Sequence, residues 1–211
     1  REGAGHSPPD RAPGHERAFA QTVRREERGS AMDQIIVYGS HYGTTRRYAQ
    51  QLSERTGIPA VRFREAPALA GMRTIVYLGG LYAGGVVGLA GTLRGLTLRS
   101  GQRLILVTVG LADPGDAANR AHICASLQKQ LPPELVDRAE IFHLRGGIDY
   151  SRLSLRHRVM MAVLYRSLRR LPPDRQTAED RALLASYGTR LDFTDPAALD
   201  PIVEAIRRGE G

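Results

Sequence analysis

The most informative part of this chain lies around residue 40, where the sequence reads Ile36-Val37-Tyr38-Gly39-Ser40-His41-Tyr42-Gly43-Thr44-Thr45-Arg46-Arg47-Tyr48-Ala49. An apolar run typical of a buried strand is followed by a loop of glycines and hydroxyls, and then by a helical pattern. The first N–H groups of a helix have no partner within it, and the helix dipole adds partial positive charge there. The loop therefore predicts an anion site, with hydroxyl donors from Ser40, Thr44 and Thr45 and close backbone approach at Gly43.

Other phosphate-binding and catalytic motifs do not fit this loop. A Walker loop requires Gly-x4-Gly-Lys followed by Ser or Thr, and no lysine occurs in residues 36–49. The dinucleotide fingerprint Gly-x-Gly-x-x-Gly is missing, as is the Gly-x-Ser-x-Gly turn of hydrolases around Ser40. One alternative stays open, in which a Ser or Thr side chain caps the helix without any ligand.

Strand and helix patterns alternate along the rest of the chain. Predicted strands lie at 34–38, 60–64, 74–78, 104–109 and 139–144. Predicted helices lie at 44–55, 91–99, 117–131, 151–171, 177–187 and 201–208. Five strands separated by helices predict an α/β fold, with an open twisted parallel five-stranded sheet and helices on both faces. The expected strand order is 2-1-3-4-5, with ligands bound beyond the carboxyl ends of the first and third strands.

The first part of the chain differs from the remainder. Residues 1–31 combine Pro, Gly and mixed charges without a sustained apolar period, which predicts a disordered N-terminal extension. Met32 directly precedes the first apolar strand, so we expect the natural start there, with a binding arm as the alternative. Residues 32–211 are expected to form one domain, because their number is ordinary for a single core.

Charge and cysteine content exclude several classes of protein. The net charge is +8, yet the 30 basic Lys and Arg residues include only one lysine, Lys129. The strong excess of arginine over lysine reflects the base composition of the gene as much as function. The sequence also lacks the interleaved basic and aromatic residues that would support nucleic-acid binding. Cys124 is the only cysteine of the sequence, which excludes a disulfide scaffold and fits a reducing cytoplasm. No Cys/His cluster at ligand spacing predicts a metal site.

The segment 36–49 resembles the flavodoxin signature position by position. It supplies two aliphatic residues and an aromatic one, then Ser40, Gly43, Thr45 and Ala49, at the spacing of that signature. The resemblance implies a flavodoxin-like fold and an FMN cofactor whose phosphate lies on the first loop. The implied cofactor-binding residues of this loop are Ser40, His41, Tyr42, Gly43, Thr44 and Thr45.

Two later loops are also consistent with a flavodoxin-like protein. The glycine-rich segment 79–85 follows the third predicted strand, where flavodoxin-like proteins wrap the isoalloxazine ring, and the loop after the fourth strand would face the opposite edge of the flavin. Tyr82 is the expected stacking partner, and the glycines leave room for a flat ligand. The implied ring contacts are Gly80, Leu81, Tyr82, Ala83, Gly84, Gly110, Leu111 and Asp113. For Asp113, which precedes Pro114, plain turn chemistry is the alternative.

The C-terminal half resembles the flavodoxin-type, menaquinone-dependent protoporphyrinogen oxidase group. This similarity rests on residues 143–170 and 192–195 and, with the first loop, extends over nearly all of residues 32–209. It implies an FMN-dependent oxidoreductase of heme biosynthesis that passes electrons from protoporphyrinogen IX to a quinone such as menaquinone. Arg145 and Arg152 are the expected partners of substrate propionates. The alternative is a non-catalytic flavodoxin-type electron carrier, although such carriers are usually acidic and this chain is basic.

The predicted helix at 151–171 is basic and amphipathic. Its apolar face carries Leu153, Met160, Met161, Leu164 and Leu168 at helical period. No acidic residue occurs between Asp149 and Asp174. A basic amphipathic helix can lie on anionic lipid, so one hypothesis is a cytoplasmic protein with peripheral contact at the inner face of the cell membrane. The alternative is that the apolar face packs on the sheet and the arginines are solvated.

Overall fold

The structure, a computed structural model, describes residues 33–41 and 43–209. The predicted disordered extension 1–31 and the predicted FMN contact Tyr42 lie outside these residues. The strands are β1 (Gln34–Gly39), β2 (Ala60–Arg62), β3 (Thr74–Tyr82), β4 (Gly85–Val86), β5 (Arg103–Gly110), β6 (Ala139–Arg145), β7 (Gly147–Asp149) and β8 (Arg190–Asp192). The helices are α1 (Thr44–Thr56), α2 (Leu89–Leu93), α3 (Ala117–Gln130), α4 (Pro133–Asp137), α5 (Leu155–Leu168), α6 (Ala178–Ser186) and α7 (Asp200–Arg207).

Five of these strands form the predicted parallel sheet, in the order β2-β1-β3-β5-β6. This is the expected 2-1-3-4-5 order, since β5 and β6 are the fourth and fifth parallel strands, and the predicted fold class is confirmed. β1 lies between β2 and β3, with Ile36 paired to Ala60 on one side and to Val76 on the other. The short β4 adds to the end of β3 as an antiparallel hairpin. The strand order therefore reverses at β1, and a crevice opens at the carboxyl ends of β1 and β3.

The strands of the sheet send alternate side chains into two apolar layers. On one face, Ile35, Ile75 and Leu104 pack against α2 and α3. On the other face, Ile36 and Val76 pack against α1 and α7. Because both faces are covered, the central strands read as continuous apolar runs, which is the signal that the sequence prediction used.

Two predicted elements are shorter in the structure than the sequence suggests. The strand expected at 60–64 ends early, because Phe63 begins a 3-10 turn and packs on the layer of α2 and α3. The helix expected at 91–99 is instead α2, which ends at Leu93. Leu98, which the prediction placed in that helix, is buried from an irregular segment.

Residues 146–195 form a further layer that follows β6. Within it β7 and β8 pair in antiparallel, and α5 and α6 pack on each other. A third apolar cluster, centred on Leu111, Ile148 and Met161, joins this layer to the loop after β5. The layer therefore lies over the carboxyl end of the sheet. The sequence pattern did not indicate β7, β8 or α4, because elements of three to five residues are too short to establish a period.

Helix α5 has two apolar faces rather than one. It begins later than predicted, after the cap residue Ser154, and its inward residues Met161 and Leu168 are buried in the protein. The predicted apolar face is therefore used in packing, and the expectation that it contacts lipid is corrected. A second apolar stripe, formed by Leu155, Val159 and Val163, is 58–76% exposed. No helix in the described ranges is both long enough and apolar enough to cross a membrane.

Tyr48 of α1 connects the two ends of the added layer. Its hydroxyl donates a hydrogen bond to the carbonyl oxygen of Arg145 at 2.8 Å and accepts one from the N–H of Asp195 at 2.9 Å. The side chain is fully buried, and this burial raises the pKa of its phenol. The Tyr48 hydroxyl therefore supplies hydrogen-bond partners to the backbone at both ends of the added layer.

Replacement of Tyr48 by Phe should lower the free energy of unfolding by about 2 kcal/mol, because it leaves a partly buried N–H and a carbonyl without their partner. Urea unfolding of the apoprotein, followed by circular dichroism, measures the change. Tyr38→Phe is the matched control, since among the described residues no group bonds to the half-buried Tyr38 hydroxyl. Equal losses in the two variants would contradict the assignment.

Candidate functional site

The carboxyl ends of β1, β3 and β5 meet around one cavity. Its walls come from the loop after β1 and the start of α1, from the ends of β3 and β5, and from β7 and α6. Of the residues singled out in the sequence, it is lined by Ser40, His41, Thr44, Thr45, Gly80, Leu81, Tyr82, Gly110 and Leu111. Three loops that are distant along the chain therefore share one space.

Four other predicted contacts lie beside this cavity and do not line it. Gly43 is the N-cap residue of α1 and faces an adjoining open groove. Ala83 and Gly84 form the turn of the β3–β4 hairpin, both with positive φ, and line a neighbouring cavity. The Asp113 carboxylate accepts a hydrogen bond from the N–H of Gly115 at 2.7 Å. This bond is the turn chemistry that Asp-Pro sequences favour, and the flavin contact of Asp113 stays a prediction.

The start of α1 is not capped by a side chain. The N-cap residue, Gly43, has a φ of 91°, and no side chain bonds to the first amides of the helix. The first intrahelical bond runs from the N–H of Arg47 to the carbonyl of Gly43 at 3.0 Å. The N–H groups of Thr44, Thr45 and Arg46 therefore precede the helical ladder and point out of its end. The alternative of a plain Ser or Thr cap does not describe this loop, whereas a phosphate fits it.

The three hydroxyls of this loop have different roles. Ser40 Oγ accepts a hydrogen bond from the N–H of Gly43 at 3.1 Å, which leaves its own hydrogen for another acceptor. Thr44 Oγ1 donates to the carbonyl of Gly147 at 2.9 Å, so its one hydrogen is already used. Thr45 is buried, and a Cβ on Gly80 would lie 3.1 Å from its hydroxyl. The expectation that all three hydroxyls can donate to a ligand therefore does not hold for Thr44.

Aromatic rings line another side of the cavity. The His41 ring makes edge-to-face contacts with Tyr82 at 5.2 Å and with His157 of α5 at 5.7 Å between centroids. Burial, and then the nearby His157, Arg62 and Arg64, lower the pKa of His41 from its usual 6.5. These surroundings therefore favour the neutral form of His41 over the charged form. His157 of α5 therefore contacts the first loop through the His41 ring.

The end of β5 is contacted by a residue that the sequence reasoning missed. Glu179, in the first turn of α6, accepts hydrogen bonds from the N–H groups of Leu111 at 2.7 Å and Ala112 at 2.9 Å. Burial raises the pKa of the Glu179 carboxyl, while the two N–H bonds and Arg145 act against that shift. The capping sequence around it, with Thr177 and Asp180, indicates a helix start but not this distant contact.

The two arginines expected to bind propionates are described to different extents. Arg145 ends β6, and its Nε donates to the carbonyl of Leu111 at 3.0 Å. Its guanidinium carbon lies 3.8 Å from the centroid of the Phe193 ring, a cation–π contact. For Arg152 the structure describes only the backbone, which ends the 3-10 turn Tyr150–Arg152. Among the described side chains, no group of three or more His, Cys, Asp or Glu is arranged to hold a metal ion.

Comparison with solved structures finds similar chains at low identity. A Bacteroides eggerthii protein described as a flavoprotein is 12% identical, with a TM-score of 0.36 and coverage of 52% of this chain and 86% of that one. A Bacteroides uniformis protein described in the same way is 13% identical, with a TM-score of 0.37 and coverages of 62% and 97%. Rubredoxin oxygen:oxidoreductase from Desulfovibrio gigas is 10% identical, with a TM-score of 0.38. In that case the alignment covers 83% of this chain but 42% of the other.

A search of curated proteins finds no match. The flavodoxin domain family matches residues 35–172, which is more than half of the chain and includes the loops after β1, β3 and β5. The chain therefore belongs to the flavodoxin domain family and is a flavoprotein whose cofactor is FMN.

Proposed function

We propose that this protein is an FMN-dependent oxidoreductase whose cofactor site is the start of α1 together with the adjoining cavity. The observation that carries this proposal is the uncapped start of α1 beside the crevice between β1 and β3. The N–H groups of Thr44, Thr45 and Arg46 and the Ser40 hydroxyl would hold the phosphate. The loops after β3 and β5 would hold the ring.

FMN, when bound, supplies one- and two-electron transfer. The chain's own residues exclude water and set the polarity of the cavity. Leu81, Val109 and Ile148 give it an apolar wall. Burial raises the pKa of the Tyr82 phenol, so Tyr82 stays protonated at neutral pH and brings no charge to the cavity.

Replacement of Ser40 by Ala should weaken FMN binding by roughly ten- to a hundredfold, because a hydrogen bond to a charged phosphate contributes roughly 1.5–3 kcal/mol. Riboflavin has no phosphate, so its affinity should not change. Quenching of flavin fluorescence by the apoprotein measures both dissociation constants. Ser167→Ala on the exposed side of α5 is the control. Equal losses for FMN and riboflavin would contradict the proposed phosphate site.

For the electron donor we propose protoporphyrinogen IX, and for the acceptor a quinone such as menaquinone. The sequence resemblance of residues 143–170 supports this pair. Arg145 adds a physical argument, because its Nε is fixed by the Leu111 carbonyl while its terminal nitrogens bond to no described group. Such a guanidinium can bind a carboxylate in two-point fashion, and the propionates of a tetrapyrrole are carboxylates.

Anaerobic mixing of the FMN-loaded protein with protoporphyrinogen IX should bleach the flavin absorption near its visible maximum. Addition of a soluble menaquinone analogue should then restore the absorption. Reduction of the same preparation by dithionite is the control that the flavin is competent. Retention of full colour with protoporphyrinogen IX would exclude this donor while leaving FMN binding intact.

A non-catalytic electron carrier is the second candidate. It is favoured by the layer 146–195 that lies over the loop after β5, because a covered ring exchanges electrons through its edge more readily than it stacks on a large substrate. Stepwise reductive titration separates the two candidates. Two separate one-electron steps favour the carrier, and direct passage to the two-electron state favours the oxidoreductase.

We further propose that α5 contacts an anionic membrane surface, where a lipid-soluble quinone is accessible. The exposed stripe Leu155, Val159 and Val163 is flanked by the exposed arginines Arg156 and Arg166. Apolar side chains enter the boundary of head groups and acyl chains, while neighbouring arginines pair with lipid phosphates. This stripe, rather than the face predicted from the sequence, is the proposed contact surface.

Val159→Asp should lower binding to vesicles of phosphatidylglycerol and phosphatidylcholine by roughly tenfold, since it removes apolar burial and repels anionic lipid. Vesicle flotation measures the bound fraction. Gln50→Asp, on the exposed side of α1, makes the same change in net charge elsewhere and is the control. Wild-type protein that fails to float with anionic vesicles would exclude the proposed contact.

A further inference from the structure

The Glu179 carboxylate occupies two main-chain donors at the end of β5. The N–H groups of Leu111 and Ala112 are adjacent, and each bonds to a different carboxylate oxygen of Glu179. We call this contact the Glu179 clasp. It joins residues that are 67 and 68 positions apart, and Glu179 lies outside the family match that ends at residue 172.

The Glu179 carboxylate packs tightly against the backbone of Gly110. A Cβ on Gly110 would lie 2.7 Å from Glu179 Oε2 and 2.8 Å from Leu81 Cδ1. The cavity that remains has a volume of about 40 Å³. Small-molecule and cofactor sites commonly have volumes of roughly 300–1,000 Å³. The carboxylate and α6 thus take up space between the two loops that are proposed to hold the ring.

The two donors have the chemistry to bind the flavin ring. An adjacent pair of N–H groups bonds to acceptors, and the pyrimidine portion of a flavin carries carbonyl oxygens at its edge. A carboxylate presents the same kind of acceptor pair. Glu179 and the flavin ring therefore compete for the same two N–H groups. Both N–H groups can bond to the carboxylate or to the ring, but not to the two at once.

Helix α6 is only partly buried. Its Ser186 is buried, but Arg181 and Ala185 are exposed, and the rest of the helix is half-buried. Pro172 and Pro173 precede it, and Gly188, with a φ of 79°, follows it. Segments with few buried contacts open at lower free energy than the core of a domain.

We propose that the Glu179 clasp is an autoinhibitory contact, and that α6 must withdraw its carboxylate before the FMN ring can bind at Leu111 and Ala112. The inference rests on the proposed FMN site. In the protein without FMN, the clasp holds the loop after β5 against α6.

Glu179→Ala should bind FMN roughly tenfold more tightly than the wild-type protein, and faster, because the competing acceptor is gone. Flavin fluorescence titration and stopped-flow mixing with the full-chain apoprotein measure the two quantities. Glu179→Gln, which retains one acceptor oxygen, should fall between the two. Glu134→Ala removes an exposed carboxylate at the start of α4 and should change neither.

Hydrogen–deuterium exchange of the wild-type protein gives an independent test that needs no variant. FMN should raise the exchange of residues 178–186 while it lowers that of residues 111–112. FMN that binds the wild type but protects α6, or binds Glu179→Ala equally or more weakly, would overturn the clasp. Failure of every protein to bind FMN would instead overturn the proposed FMN site.

Discussion

The position of β1 between β2 and β3 is the constraint on which the rest of the molecule depends. In a parallel sheet each crossover brings the chain back to the end at which the strands begin. The loops that follow the strands therefore all lie at the opposite end of the sheet. Because the chain crosses first toward β2 and then back past β1 to β3, the two crossovers lie on opposite faces. The loops after β1 and β3 are thereby left apart, with the start of α1 facing the gap. The anion-binding amides owe their position to this reversal.

The sequence predicted this frame well, and it did so through particular residues. The runs around Ile36 and Leu106 are apolar at every position, as strands buried on both faces require, and the glycine and hydroxyls near Gly43 indicated a helix start. The contacts of Glu179 and the use of the Thr44 hydroxyl could not be predicted in this way. Both depend on partners more than sixty positions away, and no local pattern encodes such a distance.

The excess of arginine also acquires a structural meaning. Arg47 pairs with Asp192 at 2.9 Å, and Arg55 with Asp200 at 2.5 Å, so two arginines of α1 connect this helix to β8 and to α7. Arg103 bonds to Glu140 and to the last carbonyls of α7. Exposed pairs of this kind contribute little energy each, but the planar guanidinium reaches several acceptors at once. Part of the positive charge therefore serves to connect elements, which weakens any inference from net charge to an anionic partner.

The hydroxyl of Tyr48 has a consequence for how the family can vary. It bonds to Arg145, the last residue of β6, and to Asp195, which precedes α7, so the two ends of the added layer are fixed at a single point. A loop whose ends are fixed together costs little more in closure entropy when its length doubles. The segment between these two residues can thus be shortened, extended or replaced as a unit while the five-stranded sheet is retained.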